Sequence, residues 1–178
     1  MEKEDYAIVL DFLPYGYPLD KLRFPVVQAI GKKNLILLHL VPRKGATFTP
    51  KEEVYIGEDK REKIHFIKGR LHREKLTENA KLVLPEIIEN YVKEHEKEIL
   101  DFINKAEAIN KRLHPFELLP GFGNKHCQDI LKERENKPFE SLEEINKRVQ
   151  HIPDIKKAIE KRIFQELTQI ERYNLFTK

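Results

Sequence analysis

The chain has no tryptophan, one methionine and one cysteine in 178 residues. A single cysteine excludes an internal disulfide and every zinc site built on cysteine pairs. Long apolar runs are missing too. The stretch "NLILLHLV" (34–41) falls far short of the roughly 20 residues that cross a bilayer, so no membrane partner is expected. The opening "MEKEDYAIVLDF" starts with acids and is too briefly apolar for a signal peptide, which points to the cytoplasm. The seven histidines include no pair four residues apart, and "HEKEI" (95–99) lacks the second histidine of a zinc-protease helix. No Walker-type phosphate loop is present. Neighbouring His126 and Cys127 cannot face each other on a helix, so they make no nucleophile–base pair. These absences leave no metal site, no cofactor and no catalytic residue to expect.

What remains is a charged, soluble composition, 35% charged and 40% hydrophobic, with enough apolar material for a core of one or two domains. Heavy Lys and Glu use matches ion-pair-rich thermophile surfaces. The net charge of +3 argues little by itself, but its distribution is uneven. The run "KREKIHFIKGRLHREK" (60–75) holds seven basic residues against two acids. Lys60, Arg61, Lys63, Lys68, Arg70 and Arg73 are its candidate nucleic-acid contacts, with His65 and Phe66 interleaved for base stacking.

Three segments follow from the patterning. Residues 1–75 predict β-strands at 6–13, 25–31, 35–42, 53–57 and 63–71, separated by Pro/Gly turns. Five short strands favour a small closed or nearly closed barrel, OB-like by preference, with an SH3-like barrel giving the same pattern. Alternation leaves the face of Phe66 open, because Ile64 and Ile67 fall on opposite sides. Residues 76–112 carry helical spacing and read as a helical connector. In it "TENAKLV" forms a short helix of its own, and Pro85 sits in the first turn of the next. Residues 113–178 repeat one pattern twice, a short helix, a tight hairpin and a longer helix. The hairpins are "PGFG" (120–123) and "QHIP" (150–153). Ser141 and Asp154 are placed as N-caps, and Ile155, Ile159, Ile163, Leu167 and Ile170 mark the last helix's buried stripe. The fold class expected is α+β.

Gly121 and Gly123 flank Phe122 where a helix begins. Small residues there let the backbone turn and let another backbone approach, and unpaired N–H groups at a helix start attract an anion. The amides of Gly121, Phe122 and Gly123, with Asn124 and Lys125, are therefore the candidate phosphate contacts. The stretch "LLPGFGNKHCQDIL" (118–131) resembles the helix-hairpin-helix motif, with Cys127 and Ile130 at its packing positions. That likeness implies backbone-directed, sequence-indifferent nucleic-acid binding, commonly by paired motifs. "QHIP" has no glycine, which marks the second hairpin as mainly structural.

Taken whole, the chain resembles the archaeal domain-of-unknown-function 655 family, through residues 64–88, 112–123 and 137–149. The resemblance implies nucleotide or RNA binding and an OB-like N-terminal part, and it implies no activity. The expected function is thus non-catalytic, sequence-nonspecific binding of nucleic acid, RNA ahead of DNA. An accessory of DNA-repair or RNA-processing enzymes and a protein-interaction module are the alternatives.

Overall fold

Runs rich in β-branched and aromatic residues become strands β1 (Tyr6–Leu13), β2 (Val26–Gly31), β3 (Leu37–Pro42), β4 (Glu53–Tyr55) and β5 (Ile64–Arg70) in a computed structural model that describes residues 3–178. Met1 and Glu2, at the head of the acidic opening, lie outside the described residues. The strands form one antiparallel sheet in the order β4-β1-β2-β3-β5, curled into a half-barrel. Both β4 and β5 run against strands that point the same way, β1 and β3, so they are parallel to each other. No hairpin can join them, and among the described residues no ladder closes the sheet between them. The inner face is filled by Ala7, Val9, Val27, Ala29, Leu38 and Leu40, with Phe48, Val54, Ile56 and Ile64 against them.

Strand β5 breaks its own alternation. The register steps from Ile64 to Phe66 and from Ile67 to Gly69 against consecutive residues of β3, leaving His65 and Lys68 as bulged insertions. Ile64 and Ile67 therefore both reach the core, and Phe66 stays 45% exposed. A bulge adds one unpaired residue and resets the period of two, so alternation alone leaves the face of Phe66 open.

On the outer face, β2 carries Gln28, a fully buried polar residue. Its amide donates to Tyr17 Oη (3.1 Å) and to the Lys75 carbonyl (2.7 Å), and its oxygen accepts the Thr77 N–H (3.1 Å). Thr77 in turn donates to Asp11 Oδ2 at 2.6 Å and accepts the Ala80 N–H at 3.1 Å, capping helix α1 (Glu78–Glu94). That cap sets the start of α1 at Glu78, and the helix runs on through Pro85, where two helices are expected. Ala80, Leu84, Ile87 and Ile88 make one buried stripe across the proline. Pro85 itself is exposed, so water reaches the backbone beside it and limits the cost of the missing hydrogen bond.

The chain divides into two units, residues 1–87 with 166–178, and residues 88–165. In the first, the last segment is held by Glu166, whose buried carboxylate accepts the N–H groups of Leu175 (2.6 Å), Phe176 (3.1 Å) and Thr177 (2.9 Å). The second unit contains α2 (Glu96–Lys105), a 3-10 turn at Pro115–Leu118, α3 (Asn124–Asn136) and α4 (Leu142–Arg148). Helix α5 (Ile155–Thr168) begins there and ends in the first unit. The element before the first hairpin is thus a single 3-10 turn, not the expected helix over 112–119; Pro115 and the His114 cap fix it. Ile155, Ile159, Ile163 and Leu167 are buried as expected, whereas Ile170 is 84% exposed because α5 stops two residues earlier. Among the described residues no helix is long and apolar enough to cross a membrane.

Two arginines hold the helices of the second unit by their C-terminal ends. Arg134 donates to the carbonyls of Ile103 (2.9 Å) and Ala106 (2.8 Å) at the end of α2. Arg148 donates to those of Glu133 (2.6 Å) and Lys137 (2.7 Å) at the end of α3. A cation on a helix C-terminus satisfies orphan carbonyls and opposes the dipole. His114, buried beside them, accepts the Phe116 N–H on Nδ1 (3.2 Å) and sets Nε2 against the Ala106 carbonyl (3.3 Å), so the proton sits on Nε2.

Two predictions follow from these networks. Gln28→Ala strands the Thr77 N–H and the Lys75 carbonyl, and should destabilise the fold by about 1–3 kcal/mol in urea titration. The second concerns pH. Burial chiefly lowers the His114 pKa from 6.5, with the Ala106 carbonyl opposing and Arg134 reinforcing the shift; burial and then Lys68 and Lys75 lower that of His39. The unfolded chain binds these protons more readily. Stability should therefore be full above about pH 6.5 and fall as pH drops through the lower folded values. His114→Gln should reduce, without abolishing, the loss in urea midpoint between neutral and mildly acidic buffer.

Candidate nucleic-acid interface

The first hairpin is a turn whose chemistry is spelled by its residues. Pro120 and Gly121 occupy its centre, Gly121 has φ of +83°, and the Phe122 N–H closes it on the Leu119 carbonyl at 3.0 Å. Proline second and a positive-φ glycine third is the type II pattern. Phe122 points inward and is buried, as are Leu119, Cys127 and Ile130. A Cβ added at Gly121 would meet Pro153 Cγ at 3.4 Å, so the two hairpins lie side by side within this unit. Gly121 is favoured by the turn itself.

Gly123 is not. It caps α3 with φ of −117° and ψ of −173°, extended geometry open to any residue, and a Cβ there would meet nothing within 4 Å. Serine or asparagine would cap a helix better. The missing side chain keeps the space outside the helix start empty.

The amides divide into spent and free. The Phe122 N–H is used by Leu119, and the Gly123 N–H donates to His126 Nδ1 at 3.0 Å. Both are satisfied within the protein. Among the described residues the N–H groups of Gly121, Asn124 and Lys125 have no such partner, and Lys125 is exposed and outside every ion pair. The free donors are therefore Gly121 in the turn and the first turn of α3.

The second hairpin copies the backbone and loses the donors. His151 takes the positive φ of Gly121, at +60°, and Ile152 stands half-buried where Phe122 is buried. Pro153, at the place of Gly123, has no N–H. Asn146 accepts the Ile155 N–H (2.9 Å) and donates to the Pro153 carbonyl (2.9 Å), and Asp154 accepts the Lys157 N–H (3.0 Å). A carboxylate occupies this helix start.

Cys127 is a packing group. It is fully buried, and burial pushes its thiol up to about 11, far from the thiolate that a nucleophile needs.

The basic run of the sheet is also divided. Lys63 donates to the Thr47 carbonyl (3.0 Å) and lies over the Phe48 ring (5.2 Å). Arg73 donates to the Glu166 carbonyl (3.3 Å) near the end of α5, and Arg61 to the Gly57 carbonyl (2.8 Å). These three hold the unit together. Lys60 is exposed and does not line the groove of about 840 Å³ that Lys68 and Arg70 border on the outer face. Across the groove stands the β1–β2 loop, "PYGYPLDKLRFP" (14–25), which contributes Tyr17, Lys21, Leu22 and Phe24. In the sequence this loop is marked only by the turn residues "PYGYP" (14–18). Its signal was there: four large apolar side chains, Tyr15, Leu19, Leu22 and Phe24, are left exposed in a connection that a structural turn would make polar.

The model of the family described as "Protein of unknown function (DUF655)" matches residues 3–178. The uncharacterized protein MJ0038 of Methanocaldococcus jannaschii is 39% identical over 177 residues, spanning 98% of this chain and 80% of that protein. The crystal structure of Af1531 from Archaeoglobus fulgidus superposes with a TM-score of 0.83 at 44% identity, covering 98% of this chain and all of that one.

The two glycines should separate in stability. Gly121→Ala forces a Cβ into left-handed backbone and should cost about 1–2 kcal/mol. Gly123→Ser should be neutral or slightly stabilising. Chemical denaturation of both variants reads the difference directly.

Proposed function

The chain belongs to the DUF655 family, and we propose that it is a non-catalytic nucleic-acid-binding protein that grips the backbone through its first hairpin, with RNA the preferred form. The observation that carries this reading is Gly123: a glycine whose side chain the fold does not exclude, at a helix start with free amides on either side. Those amides and the dipole of α3 favour an anion. Lys125 adds a full positive charge. A phosphate fits that set, and recognition through amides carries no base information.

Side-by-side hairpins with matching backbone support the tandem helix-hairpin-helix reading, in which only the first member contacts phosphate and the second supports it. The OB-like reading of the half-barrel draws on its strand order and on the face formed by β2, β3 and the β1–β2 loop, where OB barrels take oligonucleotides. The preference for RNA follows from that second reading. Lys68 and Arg70 supply the basic barrel surface, without Lys63 and Arg73.

Binding should weaken steeply with salt, because each neutralised phosphate releases counterions, and it should not discriminate sequence. Gly123→Val, folded by circular dichroism, should lose about tenfold or more in duplex affinity, the equivalent of one charge-assisted hydrogen bond. Lys125→Ala should lose less, and Ile152→Ala should leave affinity unchanged. Anisotropy titrations at several salt concentrations test the set. Gly123→Val binding as tightly as the parent would show that the hairpin is only a turn.

A further inference from the structure

The groove on the outer face of the sheet has chemistry of its own. Its floor is Tyr17, pinned by Gln28 and set edge-on to the His39 ring at 6.2 Å, with Lys75 Nζ 4.9 Å above its face. One wall is the loop, where Leu22 and Phe24 are 73% and 65% exposed; the other is β5, with Phe66. Lys21, Lys68, Arg70 and Lys75 line it against one carboxylate, Asp20. Lys21 and Lys68 make no ion pair among the described residues. Folding thus leaves aromatic faces in water and cations unneutralised around one concavity.

We propose that this groove binds an unpaired nucleic-acid strand, with bases stacked on Phe24 and Phe66 and phosphates met by Lys21, Lys68 and Arg70. The inference rests on the reading that the ligand of this protein is nucleic acid, and it adds the form that this surface takes. Stacking tolerates any base, because every base presents a π-face, while the cations track the backbone. In a duplex those faces are already stacked on one another, so a duplex cannot occupy the walls. A peptide adding as a strand along the β5 edge fits less well. The bulges at His65 and Lys68 interrupt the ladder that strand addition needs, and the charge calls for a polyanion.

The test uses the full chain, a labelled oligouridine, a labelled duplex and a labelled polyglutamate peptide of matched charge. Phe24 and Phe66 are exposed, so the double variant Phe24→Ala/Phe66→Ala should melt like the parent. It should bind oligouridine at least tenfold more weakly, the loss of about one stacked base, and bind duplex as before. Lys68→Glu should weaken oligouridine binding as well. Gly123→Val should show the reverse pattern, with the loss on the duplex. Unchanged oligouridine affinity in the folded double variant overturns the groove, and a duplex loss in Gly123→Val would still leave the hairpin standing. A parent protein that binds neither nucleic acid overturns both. Polyglutamate binding as tightly as oligouridine, and lost in the same double variant, overturns the proposal and assigns the groove to an acidic protein.

Discussion

One buried amide holds the first unit in shape. Gln28 lies fully buried on β2, and its side chain joins the β1–β2 loop at Tyr17 to the chain entering α1 at Lys75 and Thr77. A buried amide without partners would be costly, so its three hydrogen bonds admit one arrangement of loop, sheet and helix start. Thr77 extends the network to Asp11 and caps α1. The groove exists because Tyr17 is fixed as its floor.

Much of this was legible in the sequence and some could not be. Runs rich in β-branched and aromatic residues between turn signals located all five strands, and the Pro-Gly-Phe-Gly spelling located the hairpin and its buried ring. The bulges of β5 were hidden, because one inserted residue reads as a change of face. Pro85 misled because a proline in an apolar-periodic run reads as a helix start, whereas the buried stripe of Ala80, Leu84, Ile87 and Ile88 carries one helix across it. Amide occupancy was hidden as well. Nothing in "GFGNKH" announces that His126 reaches back to Gly123 and leaves the donors further along.

The cations divide in the same way. Arg134 and Arg148 cap helix ends, and Lys63, Arg61 and Arg73 close loops and tails of the first unit. A basic run in sequence is therefore a poor guide to a basic surface. What remains at the two candidate sites is Lys125 in one and Lys21 and Lys68 in the other, where Arg70 also lines the groove while donating to the Lys178 carbonyl at 3.4 Å. The sites differ in kind: one offers backbone amides to a phosphate, the other aromatic faces to bases.

The central claim is that the helix start after Gly123 touches phosphate, and amide-resolved NMR of the labelled protein with unlabelled nucleic acid tests it most directly. The account predicts the largest downfield proton shifts at the N–H groups of Gly121, Asn124 and Lys125, reversed by added salt, with little change at Ile152 or Ile155. Shifts that bypass those three amides while binding is saturated would contradict it.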